Sequence, residues 1–221
     1  MPEKGLLVVF EGPEGAGKST QVARVAAHLR ATETPHAVLR EPGGTRLGEE
    51  IRRLLLDPHS EIVPEAECLL FLASRSEVVR RVLRPALDEG KVIILDRFFL
   101  STYAYQIGGR GLSHDLVRSA NALATGGLTP GVTLLLNIEP AAGLARASRR
   151  GAQDRMELTG SDFHARVSAA FAMFATPEWQ KDHPECGEIV ALDASGSEDE
   201  VFTSIMNLLA KRWPAWFASA S

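Results

Sequence analysis

The run Gly12-Pro13-Glu14-Gly15-Ala16-Gly17-Lys18-Ser19 satisfies G-x-x-x-x-G-K-[ST] and constrains this chain more than any other segment. An apolar run, Leu6–Phe10, stands ahead of it, and Gln21–Ala27 behind it has a helical pattern. Strand, glycine loop and helix are the setting in which the pattern has mechanical meaning. The glycines let successive backbone N–H groups converge on a phosphate, and the helix N-terminus adds the positive end of its dipole. In this reading Gly12 through Thr20 cradle a nucleoside triphosphate, Lys18 reaches the β- and γ-phosphates, and the Ser19 hydroxyl sits on Mg²⁺. The loop identifies a phosphoryl donor and leaves the acceptor open.

At 221 residues the chain is expected to form one domain, residues 1–221, with a substantial core. Its net charge of −4 argues against a general nucleic-acid or membrane surface, so any polyanion must be held by local positive charge. The two cysteines, Cys68 and Cys186, are far apart and in no metal-ligand spacing, which points to a reducing compartment. No apolar stretch approaches the ~20 residues of a membrane helix, and the first apolar run enters the phosphate loop rather than a cleavage site. A cytoplasmic protein with no membrane partner is expected.

Apolar runs at Leu6–Phe10, Val92–Leu95, Val132–Ile138 and Ile189–Leu192, with Ala37–Leu39 as a weaker fifth, read as parallel strands alternating with helices. Helical patterns cover Lys18–Arg30, Gly48–Leu56, Glu65–Glu89 with a bend near Pro85, Ser101–Ile107, Leu112–Leu123, Ala141–Arg150, Asp162–Phe174 and Glu198–Arg212. Gly90 and Gly126-Gly127 are natural helix stops. Ligands of such open sheets bind at the carboxyl ends of the strands. The site is therefore expected from Glu11, Arg40, Asp96 and Glu139 onward.

Chemistry-bearing residues fall at these places. Arg40-Glu41-Pro42-Gly43-Gly44-Thr45 is a tight turn after a strand, with Arg40 available to an acceptor phosphate or merely incidental on a surface. Ile94-Leu95-Asp96-Arg97-Phe98 ends a strand in an acid and a base. Asp96 suits an ion held beside the phosphate loop, and Arg97 could bridge two phosphates. Ser101 and Tyr105 are four apart, as are Thr102 and Gln106, so one helix side offers hydroxyl, ring and amide. Phe71 and Arg75 share the spacing: a ring to stack on a base and a guanidinium for its edge, or a core ring beside a solvated cation. Arg146, Arg149 and Arg150 form a stripe of like charge that repels by about 0.2–0.5 kcal/mol per pair and gains from a polyphosphate. With Arg155 beyond the Gly151-Ala152-Gln153-Asp154 tip, they suggest a lid over residues 146–157 that closes on the transferring group.

Together these motifs resemble thymidylate kinase. Asp96-Arg97-Phe98 through Ser101-Thr102-Tyr103-Ala104-Tyr105-Gln106 matches that family's signature, and the loop, the Arg40–Thr45 turn and the Phe71…Arg75 pair follow in its order and spacing. The likeness covers nearly the whole chain and weakens after Phe174. It implies the P-loop nucleoside monophosphate kinase fold: a central parallel five-stranded sheet flanked by helices. The implied reaction passes the γ-phosphoryl group of ATP to dTMP, with Mg²⁺, in a homodimer. The resemblance also implies roles. Phe71 stacks on thymine, Arg75 bonds its carbonyl edge, and Ser101, Thr102 and Gln106 help hold the nucleoside. Tyr105 crowds the position of a ribose 2′-hydroxyl, and Glu14 takes the 3′-hydroxyl. Arg40 and Arg97 hold the dTMP phosphate, while Lys18, Ser19 and Asp96 serve ATP and Mg²⁺. The phosphate loop has no basic residue at Pro13, Glu14 or Ala16, which resembles the bacterial type that supplies its arginines from the lid (Arg146, Arg149, Arg150, Arg155). Two other readings stay open: a P-loop kinase for another nucleotide or nucleoside, and a nucleotide-dependent switch. A guanine-type switch would need Asn-Lys-x-Asp, which does not occur.

Overall fold

In the computed structural model, which describes residues 5–147 and 154–218, five strands form one sheet. They are β1 (Leu6–Glu11), β2 (His36–Arg40), β3 (Val92–Asp96), β4 (Val132–Asn137) and β5 (Ile189–Asp193), in the order β2-β3-β1-β4-β5. Every pairing is parallel, as the strand–helix alternation requires. The helices are α1 (Lys18–Ala31), α2 (Arg46–Leu56), α3 (Pro64–Val78), α4 (Arg84–Asp88), α5 (Phe99–Thr102), α6 (His114–Thr125), α7 (Pro140–Ala147), α8 (Ser161–Phe174), α9 (Pro177–Asp182), α10 (Glu198–Arg212) and α11 (Pro214–Phe217).

β1, β3 and β4 are continuous apolar runs because helices cover both of their faces. Leu7, Val9, Ile93 and Leu95 enter a core layer with α3, α6 and α8. Leu6, Val8, Phe10, Val92 and Ile94 enter the opposite layer with α1, α10 and α11. β2 gives a weak sequence signal because it is an edge strand with Val38 43% exposed, so it needs less apolar content.

Register sets up the site. Arg40 pairs with Asp96, and Asp96 with Phe10, so three turns leave the sheet from one row at its carboxyl edge. Gly126 ends α6 in a left-handed conformation, as its glycine pair foretells.

Two helices depart from the simple 3.6-residue reading. The expected Glu65–Glu89 helix is α3 and α4 joined by a π-helical turn, Val79–Leu83, in which Arg84 N–H reaches Val79 O. Pro85 follows at once and has no N–H to give the preceding turn, so the widening sits where the α-helical ladder must break. The expected Ser101–Ile107 helix begins at Phe99 and widens into a second π-helical stretch, Tyr103–Gly109. The short α9 and α11 have no counterpart in the sequence reading.

Candidate active site

The phosphate loop is shaped by its glycines: Gly12, Gly15 and Gly17 have φ of 137°, 74° and 85°. Lys18 folds back across the loop, its Nζ donating to Gly12 O at 2.8 Å and Pro13 O at 2.7 Å. Burial first, and Arg97 second, bring its pKa down to about 7. At Gly15 a Cβ would lie 1.9 Å from Gly143 O, and one at Gly143 would lie 2.7 Å from Glu14 O. So α7 crosses the loop in backbone contact. Gly143 was not singled out in the sequence, because a lone glycine in a helical pattern names no partner.

At the end of β3, Asp96 Oδ2 accepts from Ser19 Oγ at 2.8 Å, joining the two residues expected at the metal. Asp96 Oδ1 is buried and has no hydrogen-bond partner among the described residues. An orphaned carboxylate oxygen beside a loop hydroxyl is a donor set that fits Mg²⁺. Arg97 has φ of 74°, a left-handed conformation uncommon for a side chain of its size. Its Nη1 donates to Ser101 Oγ at 2.9 Å, and its guanidinium carbon stands 5.3 Å from the centre of the Tyr105 ring. Burial pushes the Tyr105 phenol up to about 12, so it remains a neutral hydroxyl. Glu11, expected to open the site but given no role, is fully buried. It accepts Phe98 N–H at 2.7 Å, Ser101 N–H at 3.0 Å and Ser101 Oγ at 2.7 Å, fastening the start of α5 to β1.

A cleft of about 250 Å³ runs from the loop, past Arg40, Asp96 and Arg97, to Phe71, Arg75, Ser101, Thr102, Tyr105 and Gln106. It brings together every residue expected at the acceptor, Glu14 included. Ser101 and Thr102 at the end of α5 and Tyr105 and Gln106 in the π-helical stretch all line this cleft. Arg40 is exposed at the mouth and pairs with Glu49, whose other oxygen accepts Gly44 N–H and closes the Pro-Gly-Gly turn. Arg75 is only 3% exposed. Its Nε donates to Glu41 Oε2 at 2.7 Å, Nη1 to Thr102 Oγ1 at 2.8 Å and to Asn121 Oδ1, and Nη2 to Phe98 O at 2.7 Å. One of its five N–H groups is thus left over. Arg75 is a buried tie among β2, α3, α5 and α6 as well as part of the wall. Burial raises Glu41, against the pull of Arg75, to about 7. Glu41, Arg52, Asp154, Met156 and Glu157 also line this cleft and carried no assigned role in the sequence. Arg52, in mid-α2 with Nη1 donating to Pro42 O at 3.0 Å, gives no signal apart from the fold. Glu139, by contrast, takes Ala142 N–H at the start of α7 and lies in neither cleft.

A second cleft of about 420 Å³ lies across the loop, walled by Gln21, Arg146 and Ala194 with Gly196–Val201 nearby, and it shares Gly15, Gly17 and Thr20 with the first. Arg146 Nη1 and Nη2 donate to Ala194 O at 3.0 Å and Ser195 O at 3.1 Å, tying α7 to the turn after β5. Of the other lid arginines, Arg149 and Arg150 lie outside the described residues. Arg155 sits apart from both clefts: Nε donates to Leu55 O at 2.8 Å, and Nη2 lies 2.8 Å from Glu67 Oε2.

In sequence and in fold the chain is similar to thymidylate kinases. The thymidylate kinase family model matches residues 10–205. A thymidylate kinase of Deinococcus radiodurans is 48% identical over 209 residues, covering 95% of this chain and 98% of that protein. One from Chlorobium chlorochromatii is 47% identical over 212 residues, covering 91% and 92%. The crystal structure of thymidylate kinase from Ehrlichia chaffeensis superposes with a TM-score of 0.71 at 26% identity, covering 93% of this chain and 98% of that one.

Proposed function

Because the chain belongs to the thymidylate kinase family, we propose that its two clefts hold dTMP and ATP end to end across the phosphate loop. The reaction transfers the γ-phosphoryl group of ATP to dTMP, giving ADP and dTDP. The observation that carries the assignment of sites is the sharing of Gly15, Gly17 and Thr20 by both clefts. Two nucleotides entering from opposite sides meet at these shared loop residues, beside Lys18 in the first cleft.

ATP lies in the second cleft, its polyphosphate on the backbone of Gly12–Thr20 and its base toward the Ala194–Ser197 turn that Arg146 holds. dTMP lies in the first, with Phe71 on the face of thymine and Arg75, Thr102 and Gln106 at its edge. Tyr105 and Glu14 face the sugar. Arg40 and Arg97 meet the dTMP phosphate, whose oxygen attacks the γ-phosphorus directly, so no protein nucleophile is needed. Ser19 and Asp96 would hold Mg²⁺, which supplies neutralising charge at the phosphates when bound. Arg97 places a further positive charge at the junction, and bound phosphates favour the protonated form of Lys18 beside it, where negative charge must be balanced as the phosphoryl group moves. Arg149 and Arg150 complete that charge from a lid that excludes water.

Two free cysteines support a reducing, cytoplasmic setting, and no helix among the described residues is long and apolar enough to cross a membrane. The protein acts as a homodimer. Leu69 of α3 and Leu116 and Leu123 of α6 are 63%, 73% and 82% exposed on helices that pack side by side, and a second copy would cover them.

The deciding experiment follows ADP release with ATP and Mg²⁺ over a panel of nucleoside monophosphates. Strongest turnover with dTMP is expected. A stronger response to another monophosphate would overturn the base-pocket assignment, and monophosphate-independent hydrolysis would overturn the two-nucleotide arrangement.

A further inference from the structure

Glu67 is a fully buried acid on α3 that lines neither cleft. Arg110 grips it as a fork, Nε to Oε1 at 3.0 Å and Nη2 to Oε2 at 2.8 Å. Arg155 adds a second guanidinium at 2.8 Å. With two cations on one carboxylate, its charge is more than balanced. Yet Oε1 also accepts from Nε2 of Gln106, at 3.3 Å, and Gln106 is a wall of the acceptor cleft.

That last contact has a chemical consequence. Both oxygens of Glu67 already face arginine N–H donors and act as acceptors, so the amide of Gln106 must turn its NH₂ group toward Glu67. The amide's only acceptor, Oε1, is then left for the cleft. Thymine presents an N3–H donor at its pairing edge, whereas cytosine presents an N3 acceptor there. An amide free to rotate could serve either base; one held by Glu67 favours the first.

We propose that Glu67 is a positioning residue for base choice: by fixing the orientation of the Gln106 amide it makes the cleft accept a thymine-type edge and reject a cytosine-type one. The inference rests on the placement of dTMP in this cleft. The same carboxylate anchors Arg155, whose neighbour Met156 lines the cleft, so the foot of the segment after residue 153 is set from the same point.

The test is Glu67→Gln, which keeps shape but brings its own NH₂ group and removes the demand on Gln106. The ratio of kcat/KM for dTMP over dCMP should fall about tenfold, the worth of one misdirected hydrogen bond. The fall should lie mainly in KM for dTMP, with KM for ATP changed less than about twofold. Gln106→Leu, which leaves both arginine contacts intact, should lower the same ratio, and the double variant should lower it no further. A structural role alone would reduce total activity and leave the ratio untouched, so a wild-type ratio in folded Glu67→Gln overturns the proposal. Should that variant fail to fold, Glu67→Asp retains the charge for both arginines while drawing back from Gln106, and it should show the same change of ratio. An unchanged ratio in Gln106→Leu overturns the proposal irrespective of the others. Wild-type enzyme without dTMP turnover would instead sink the underlying site assignment.

Discussion

On the proposed donor side of the phosphate loop the cleft is built mostly on main chain: glycine-shaped amides of the loop, and the Ala194–Ser195 turn, whose two carbonyls Arg146 holds. On the acceptor side they are side chains, and the wall stands on buried ion pairs reaching across the sequence, Arg75 with Glu41 and Glu67 with Arg110 and Arg155. A triphosphate is the same for every nucleotide, so a backbone cradle suffices for it. A particular base needs donors and acceptors at fixed places, and side chains hold such places only when other side chains hold them. The contrast predicts that substitutions on the two sides fail in different ways.

The largest effects fall where the halves meet. Arg97→Ala should lower kcat about 10²–10³-fold, the scale of losing one preorganised electrostatic group, while a nucleotide-binding titration shows ATP affinity within a few-fold of wild type. Lys18→Met should lose turnover at least as severely and weaken ATP binding as well. If Arg97→Ala lost ATP binding too, the division of the site would be wrong at its centre.

Gly15→Ala probes the backbone side. The new Cβ would meet Gly143 O at 1.9 Å at a φ of 74°, so loop and α7 must separate. Turnover should fall about 10²-fold, the penalty for displacing the donor from its line of attack by about an ångström, with KM for ATP rising and dTMP affinity little changed. Equal losses for both substrates would show that the loop and the acceptor wall move as one body.

Arg75→Met probes the side-chain half. Removing it strands the buried Glu41 carboxyl along with Thr102 Oγ1, Asn121 Oδ1 and Phe98 O. Breaking one partner of a buried pair costs about 3–5 kcal/mol, which lowers Tm by about 10 °C in a chain of this size. Calorimetry checks it, and a drop of only one or two degrees would reduce Arg75 to a surface-like contact.

The same division governs what the sequence discloses. The loop, the Asp96-Arg97 strand end and the alternation of strands with helices are legible because each is local: a spacing, a periodicity, a glycine demanded by one backbone conformation. Ser101, Thr102, Tyr105 and Gln106 are legible as a helix side even though the helix turns π-helical from Tyr103 onward. Glu67, Glu41 and Asn121 are not, since an acid or amide in mid-chain gains meaning only from partners tens of residues away that folding brings near. Arg155 shows the limit from the other direction. Its position in a basic run suggests a phosphate, and the structure sets it on Glu67. Gly143 is silent for the same reason as Glu67, its partner being the backbone of Glu14 and Gly15.

The last prediction is a pH dependence of stability with opposite sign for two buried groups of the site. Burial holds Lys18 at about 7 in the folded chain against its usual 10.5. Between those values the unfolded chain binds the extra proton, so this group's contribution to stability is present above 10.5 and lost as pH falls through 7. Glu41 is raised to about 7 from 4.5, so there the folded chain holds the extra proton. Its contribution is present below 4.5 and lost as pH rises through 7. Both site groups therefore weigh most heavily on the fold near pH 7. Subtracting variant from wild-type stability in urea titrations at successive pH values isolates each limb. Relative to Lys18→Met, wild-type enzyme should gain stability as pH rises from about 7 toward 10. Relative to Glu41→Gln, it should lose stability as pH rises from about 4.5 to 7. Two limbs of the same sign would mean that burial dominates only one of these groups, and that Lys18 and Glu41 are less differently held than their surroundings indicate.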